Sequence, residues 1–226
     1  MVGSNLTKSD LHLEVLPEVT RKAFLAFAEV TWLKNGGWYL AGGTALALQV
    51  GHRSSVDLDF FTKHKNFDED VLENNLLRLG NWHTDRIDRG TIYGVFRKAK
   101  ISFIAYPFFK PSSHIKMFGA IRIVPIDDIA VMKIIAVSQR GRKRDFVDLY
   151  WYCNNNGDLD SIFSRMIKQY PQKHNLNHIL KSLTYFDDAE KDPMPIVNFK
   201  VTWQEVKLYF KREVTVLTRK LLDLNL

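Results

Sequence analysis

The spacing of apolar residues divides the chain into a mixed first part and a helical last part. Apolar positions that recur every three or four residues predict helices, whereas alternating or short continuous apolar runs predict strands. The helical period predicts helices at 17–34, 44–50, 68–79, 126–139, from 143 onward, 158–169, 175–184 and 203–223. The strand patterns lie at 38–41, 56–61, 91–96, 100–108 and 121–124.

These elements predict an α/β domain over residues 1–152 and a helical domain over 153–226, with a proline-containing loop at 187–197. The strands are short and are interleaved with helices, so the sheet is expected to be small and mixed. After the turn-forming run at 154–157, every element has a helical period. The second domain is therefore expected to be a helical bundle.

Composition narrows the class of protein. Of the 226 residues, 46% are hydrophobic, which is enough to bury a core and argues against a disordered chain. The single Cys153 excludes an internal disulfide framework and cysteine-rich zinc sites. The first residues lack a signal-peptide pattern, and the longest apolar stretch, 129–137, is too short to span a bilayer. We therefore expect a cytoplasmic protein without a membrane partner.

The net charge of +7 is compatible with a polyanionic partner such as RNA or with nucleoside triphosphate (NTP) binding. A well-solvated lysine surface would give the same charge. Four basic residues lie close together in the sequence and are called the basic cluster below. The cluster could hold nucleotide phosphates or an RNA backbone, or it could be a solvated turn. Its members are Arg140, Arg142, Lys143 and Arg144.

The most informative stretch is 38–61. Side chains alternate between the two faces of a strand, so Asp57 and Asp59 are expected on one face, with Val56, Leu58 and Phe60 in the core. Two neighbouring carboxylates repel each other when ionised, and a hard cation such as Mg²⁺ or Mn²⁺ between them removes the repulsion. Two solvent-facing aspartates on an edge strand would show the same pattern.

Gly42 and Gly43 lie between a predicted strand and a predicted helix. In that position backbone N–H groups can hold a phosphate, because glycine allows close approach and the helix dipole attracts the anion. An ordinary tight turn would also use these residues. Thr44 could cap the helix, contact phosphate or do both.

Two further charged positions lie in the predicted helices at 126–139 and from 143 onward. Lys133 is the single charge in the apolar run 129–137, so it must be paired, reach solvent or shift its pKa. Twelve residues later, Asp145 and Asp148 share one helix face. An acid at a helix N-terminus can also be a simple capping residue.

The strand–Gly-Gly-Thr–helix–strand arrangement with Asp57-Leu58-Asp59 resembles the DNA polymerase beta nucleotidyltransferase superfamily. The stretches GGTALAL, HRSSVDLDFF and DIAVMKIIAVSQRGRKRDFVDLYW resemble, in order, the AbiEii/AbiGii nucleotidyltransferase toxin family. The resemblance implies the nucleotidyltransferase fold, an NTP substrate, Mg²⁺ or Mn²⁺ as cofactor, RNA or tRNA as acceptor, and a cognate antitoxin.

The resemblance also implies residue roles. Asp57 and Asp59 would bind the metal, Asp145 would act as base or extra ligand, and Lys133 would hold the triphosphate. Gly42, Gly43, Thr44 and Arg53 would position the phosphates.

One departure from the superfamily pattern leaves alternatives open. Many members carry a third carboxylate on a later strand, but residues 100–105 contain no acid and Ser102 occupies the expected position. Either Asp145 completes the site or the site has two acids. The competing functions are an aminoglycoside-type nucleotidyltransferase with an acidic acceptor pocket, and a catalytically degenerate protein that binds a nucleotide or a partner.

Overall fold

The structure is a computed structural model in which residues 4–112, 114–172 and 174–223 are described. It divides into two compact units, Met1–Pro125 and Ile126–Leu226. The predicted α/β class with a helical C-terminal part is confirmed. The boundary between the units differs from the predicted position at 152–153.

The first unit is organised around a sheet. Its strands are β1 (Tyr39–Ala41), β2 (Leu58–Thr62), β3 (Trp82–Asp88), β4 (Thr91–Phe96), β5 (Ala99–Ala105), β6 (Lys116–Phe118) and β7 (Ile121–Ile123). Within the described residues they form one seven-stranded sheet in the order β3-β4-β5-β2-β1-β7-β6. Strand β2 runs antiparallel to β1 and parallel to β5, so the sheet is mixed as expected.

The helices of this unit are α1 (Glu18–Phe27), α2 (Thr31–Asn35), α3 (Gly42–Val50) and α4 (Glu69–Arg78). The prediction of a single helix over 17–34 is wrong, because the helix is interrupted between α1 and α2. Val30 has extended backbone angles there, and the carbonyl of Ala28 accepts a hydrogen bond from the backbone N–H of Ala120 at 2.6 Å. A contact with a chain segment ninety residues away thus replaces the continuation of the helix.

Strands β3 and β6 were not predicted from the sequence. In β3 only Trp82 is buried and both faces are otherwise largely polar, so the alternation typical of a half-buried strand is missing. Strand β6 has only three residues, too few for a period to be recognised. Their pairing with β4 and β7 defines them, and that pairing is a tertiary property.

An aromatic cluster forms the core on one side of the sheet. The ring centroid of Phe27 lies 5.3 Å from that of Phe60, and the Phe60 and Phe103 rings stack at 5.1 Å. Burying each such side chain contributes roughly 1.5–3 kcal/mol. Leu58 and Phe60 point into this core as predicted. Val56 does not: it is 51% exposed, because it precedes the first residue of β2 and is outside the sheet pairing.

The second unit is helical. Its helices are α5 (Ile126–Arg140), α6 (Lys143–Asn155), α7 (Leu159–Gln169), α8 (Leu176–Ser182), α9 (Asp187–Glu190) and α10 (Trp203–Asp223). The short α9 lies in the stretch that was predicted to be a loop. None of the helices in the described residues combines the length and the apolar character needed to cross a bilayer.

The packing of α6 shows that this helix belongs to the second unit. Phe146 is fully buried, with ring centroids 5.2 Å from Phe186 and 5.3 Å from Phe210. Helix α6 therefore belongs to the core of the helical unit. The predicted boundary at 152–153 falls inside α6, since periodicity alone does not show which core a helix joins.

Candidate active site

Two carboxylates mark the start of strand β2. Asp57 directly precedes the strand, and Asp59 is its second residue, on the face opposite the buried Leu58 and Phe60. Both acids are partly exposed and line the same cavity. Asp59 is paired in register with Ser102 on β5, and the Ser102 hydroxyl donates a hydrogen bond to Asp59 Oδ1 at 2.6 Å. Ser102 thus lies at the predicted position, where it fixes the orientation of one acid.

The glycine pair lies against the same acid. Helix α3 begins at Gly42, directly after β1, so the glycine pair forms the first residues of the helix and not the separate turn that was predicted before residue 44. Gly42 has a φ of +74°, and a Cβ atom at this position would lie 3.2 Å from Asp59 Oδ2. Both the backbone conformation and the space beside the carboxylate therefore favour glycine.

Thr44 has a different role from the predicted cap. The N-cap residue of α3 is Ala41, which has no side-chain cap. The buried Thr44 hydroxyl bonds to the Ser55 hydroxyl at 2.7 Å and donates to the backbone carbonyl of Asp57. Thr44 consequently ties the helix to the segment that carries the first acid.

A cavity of about 290 Å³ opens beside the acids. Its lining includes Asp57, Asp59 and Ser102, and also Asp85, Tyr93 and Lys100.

Asp85, Tyr93 and Lys100 were not identified from the sequence as residues of the site. Lys100 and Tyr93 could have been found from the alternation of β4 and β5, but Asp85 occupies a register shift between Thr84 and Arg86 in the unpredicted β3.

Arg53 precedes the acid pair in sequence and is only 4% exposed. Its Nη1 atom donates to the backbone carbonyl of Ser54 at 2.9 Å. The predicted contact of Arg53 with a triphosphate therefore stays a prediction.

A second charged group is buried in the helical unit. Lys133 Nζ on α5 lies 2.6 Å from Asp145 Oδ1 and 2.6 Å from Asp148 Oδ2 on α6. Both carboxylates are fully buried. Of the possibilities for a lysine in an apolar helix, the structure shows the paired one.

Arg140 completes this group by donating from Nε to Asp145 Oδ2 at 2.9 Å. Burial acts to raise the pKa of the Asp145 carboxyl, but the adjacent Lys133 ammonium and Arg140 guanidinium outweigh it and hold that pKa below its usual range. Asp145 therefore remains ionised at neutral pH.

Comparison with known proteins identifies the family to which the chain belongs. The profile of the nucleotidyl transferase AbiEii toxin of type IV toxin–antitoxin systems matches residues 32–117 and 111–216, more than half of the chain. The chain belongs to the AbiEii nucleotidyltransferase family. A protein of uncharacterised function from Aquifex aeolicus is 35% identical over 181 residues, which cover 78% of this chain and 86% of the relative.

Solved structures agree on the fold. A protein from H. pylori provisionally assigned as a nucleotidyltransferase superposes with a TM-score of 0.53 at 17% identity, covering 92% of this chain and 98% of the other. MenT4, a nucleotidyltransferase toxin from Mycobacterium tuberculosis, superposes with a TM-score of 0.51 at 14% identity, covering 88% and 86%. This AbiEii family chain therefore shares the fold of these structures, and its family membership makes it a nucleotidyltransferase.

The acid pair of this AbiEii family protein offers carboxylate oxygens to a metal ion. Among residues 4–112, 114–172 and 174–223, no three His, Cys, Asp or Glu side chains are grouped to hold a metal by themselves. Mg²⁺ commonly binds through one or two carboxylates plus substrate phosphates. Two oxygen ligands beside a glycine that leaves space at Asp59 Oδ2 fit an ion that arrives with a nucleotide.

The basic cluster of the family protein is largely engaged within its own unit. Arg142 Nη2 lies 2.7 Å from Asp192 Oδ1 and Arg142 Nε donates to Asp192 Oδ2 at 2.7 Å. The mostly buried Lys143 donates from Nζ to the carbonyl of Asp192 at 2.6 Å. Because Arg140 is paired with Asp145, three of the four predicted RNA-binding residues have acidic or carbonyl partners. RNA binding by this cluster stays a prediction.

We expect Gly42→Ala to impair nucleotide transfer beyond its effect on stability. The positive φ should cost about 1–2 kcal/mol of unfolding free energy, and the new methyl group should displace the Asp59 carboxylate. A displaced carboxylate should lower the transfer rate about 10- to 100-fold. Urea unfolding and a transfer assay measure the two effects separately.

Gly80→Ala is the matched control for this substitution. Gly80 has a φ of +69°, yet a Cβ atom there would meet nothing within 4 Å. It should lose similar stability and keep its transfer activity. Equal activities in the two variants would contradict a role for the Gly42–Asp59 contact.

Proposed function

We propose that the protein transfers a nucleoside monophosphate from an NTP to a hydroxyl group of RNA, with Asp57 and Asp59 as the metal-binding pair. The observation that carries this proposal is the constrained Asp59 carboxylate. Its Oδ1 accepts a hydrogen bond from Ser102, and its Oδ2 faces the glycine that begins α3. Such a rigid, partly exposed carboxylate beside a helix N-terminus suits phosphate chemistry.

Asp57 and Asp59 would hold Mg²⁺ or Mn²⁺ together with the triphosphate. When bound, such an ion neutralises charge on the phosphates and orients the reacting oxygens. Ser102 keeps Asp59 in one orientation, and Thr44 holds the backbone carbonyl of Asp57. These two hydroxyls thereby preorganise both acids.

The phosphates would lie at the N-terminus of α3, where Gly42 and Gly43 present backbone N–H groups and the helix dipole favours an anion. Arg53 is proposed to add positive charge beneath them. The acceptor hydroxyl would attack the α-phosphorus in line, forming a new P–O bond as the bond to the β-phosphate oxygen breaks and pyrophosphate leaves.

Lys133 and Asp145 are proposed to assist this reaction because of the family resemblance. Lys133 would bind the triphosphate and Asp145 would accept the proton of the acceptor hydroxyl or provide a further metal ligand. Their mutual pairing keeps both charged and oriented. Asp148, the third member of the group, would support Lys133.

The toxin–antitoxin setting of the family supports RNA, including tRNA, as the acceptor and a cognate antitoxin as a protein partner. Cytoplasmic localisation stays a prediction. One observation favours an aminoglycoside acceptor instead, since Asp85 adds a third carboxylate to the cavity wall and would attract a cationic sugar. The replacement of the third acid by Ser102 supports the degenerate alternative.

The decisive experiment is incubation of the protein with each α-labelled NTP, Mg²⁺ and either total RNA or an aminoglycoside. The proposal expects label in RNA, dependent on the divalent ion and on Asp59. If only the aminoglycoside became labelled, the acceptor would be an aminoglycoside and not RNA. Absence of transfer with NTP still bound would favour the degenerate alternative.

A further inference from the structure

Cross-strand pairing extends the candidate site into a row of residues. Asp59 on β2 is paired with Ser102 on β5, Ser102 with Tyr93 on β4, and Tyr93 with Arg86 on β3. Paired residues on neighbouring strands point to the same face of the sheet. With strands about 4.8 Å apart, Tyr93 lies on the order of 10 Å from Asp59. This spacing corresponds to a few stacked nucleotides at 3.4 Å each.

Tyr93 is an aromatic ring that is available on this face. It is 40% exposed, and the Arg86 guanidinium carbon lies 5.7 Å from its ring centroid. Arg86 is in turn held by an ion pair with Asp88. Tyrosine rings and arginine guanidinium planes are the groups on which unpaired bases stack in RNA-binding proteins.

The turn that joins β4 to β5 carries two basic residues in a strained conformation. Arg97 and Lys98 form a two-residue loop with φ angles of 50° and 70°. Such turns strongly favour Asn-Gly, because both central residues need a positive φ. Arg97 and Lys98 thus occupy two positions at which Asn and Gly would be less strained. Backbone strain of this kind clusters at functional sites.

A second cavity, of about 590 Å³, lies beside this turn. The residues that line it are Asn81, Trp82, His83, Val95, Arg97 and Lys98, none of which is acidic. Val95 is paired with Lys100 of the first cavity and with His83. The charge of the face therefore changes from acidic at Asp57 and Asp59 to basic at the turn.

We infer that this face of β3–β5 binds the single-stranded end of the RNA acceptor that carries the reacting hydroxyl group. A base within the last few nucleotides would stack on the platform of Tyr93 and Arg86, and the preceding phosphates would contact Arg97 and Lys98. This inference rests on the proposed function, and it places the acceptor on the sheet unit rather than on the basic cluster. Stacking requires an unpaired base, so a duplex would not use the platform.

The stacking step is tested by the affinity of the full-length protein for a labelled single-stranded oligoribonucleotide of about 12 nucleotides, measured by fluorescence anisotropy without NTP. Tyr93→Ala should weaken binding about 5- to 150-fold, and Tyr93→Phe, which keeps the ring, should bind normally. Tyr185→Ala is the matched control, because Tyr185 is an exposed tyrosine of the helical unit. Binding of a duplex of the same sequence should not respond to Tyr93→Ala.

The phosphate step is tested by the double variant Arg97→Asn, Lys98→Gly. It removes two cations and installs the dipeptide that the turn prefers, so the protein should be at least as stable. The slope of log affinity against log salt concentration should fall by about 1.4 for two lost phosphate contacts with a single strand. Lys63→Ala with Lys65→Ala removes the same charge from exposed positions just after β2 and should leave the slope unchanged.

The outcomes separate this inference from the proposed function. RNA that binds through Tyr93 but receives no label would overturn RNA as the acceptor in the transfer reaction and leave the platform standing. The inferred RNA-binding platform alone would be overturned by two results together: the Tyr93→Ala variant labels RNA normally, and the turn variant keeps the salt dependence of RNA affinity unchanged. Loss of binding in Tyr185→Ala or in the Lys63 and Lys65 variant would also overturn it. Calorimetric titration with NTP should give the native affinity for the turn variant and for both control variants.

Discussion

Replacing Asp59 with asparagine should abolish nucleotide transfer while leaving the protein folded. The neutral amide lacks the negative charge with which a carboxylate holds a hard cation, so the rate should fall by at least roughly 10³-fold. The amide oxygen can still accept the hydrogen bond from Ser102, and the repulsion between Asp57 and Asp59 is removed. Unfolding by urea should accordingly show unchanged or slightly higher stability.

Two measurements make this expectation specific to the acid pair. NTP with Mg²⁺ should raise the Tm of the native protein, and Asp57→Asn combined with Asp59→Asn should remove that increase. Asp85→Asn is the matched control, because Asp85 lines the same cavity outside the pair. If the double variant retained the metal-dependent increase in Tm, or if only Asp85→Asn lost activity, the metal site would be elsewhere.

Replacing Lys133 with methionine should destabilise the protein by about 3–5 kcal/mol, since it leaves the buried Asp145 and Asp148 without their common cation. Arg140 still pairs with Asp145, but Asp148 loses the charge at 2.6 Å. Circular dichroism during urea unfolding measures the loss. A neutral or stabilising effect of Lys133→Met would contradict a structural role for this group.

A triple variant separates structure from nucleotide binding. Adding Asp145→Asn and Asp148→Asn to Lys133→Met removes the three buried charges, leaves only the half-exposed Arg140, and should recover most of the lost stability. NTP affinity can then be measured in a folded protein. Loss of affinity would support the proposed triphosphate contact of Lys133, and normal affinity would restrict Lys133 to holding α5 and α6 together.

Local sequence determined the family motifs and most of the helices of this AbiEii family protein. The order Gly42-Gly43, helix, Asp57-Leu58-Asp59 was sufficient to indicate a nucleotidyltransferase, and the two acids do line one cavity, although Asp57 lies just before β2 and not within it. The longer helices of the second unit followed from periodicity, since a buried stripe repeats every three or four residues, whereas the four-residue α9 did not. The family motifs likewise lie within continuous stretches of sequence.

Tertiary structure decided which partners these residues have. Ser102 bonds to Asp59 across 43 residues, and Arg142 pairs with Asp192 across 50, distances over which a periodic pattern carries no information. The same holds for β3, whose strand character depends on pairing with β4 and whose register shift brings Asp85 to the cavity. Periodicity records which face of an element is buried. The side chain that meets it depends on strand register and helix packing, which only the folded chain establishes.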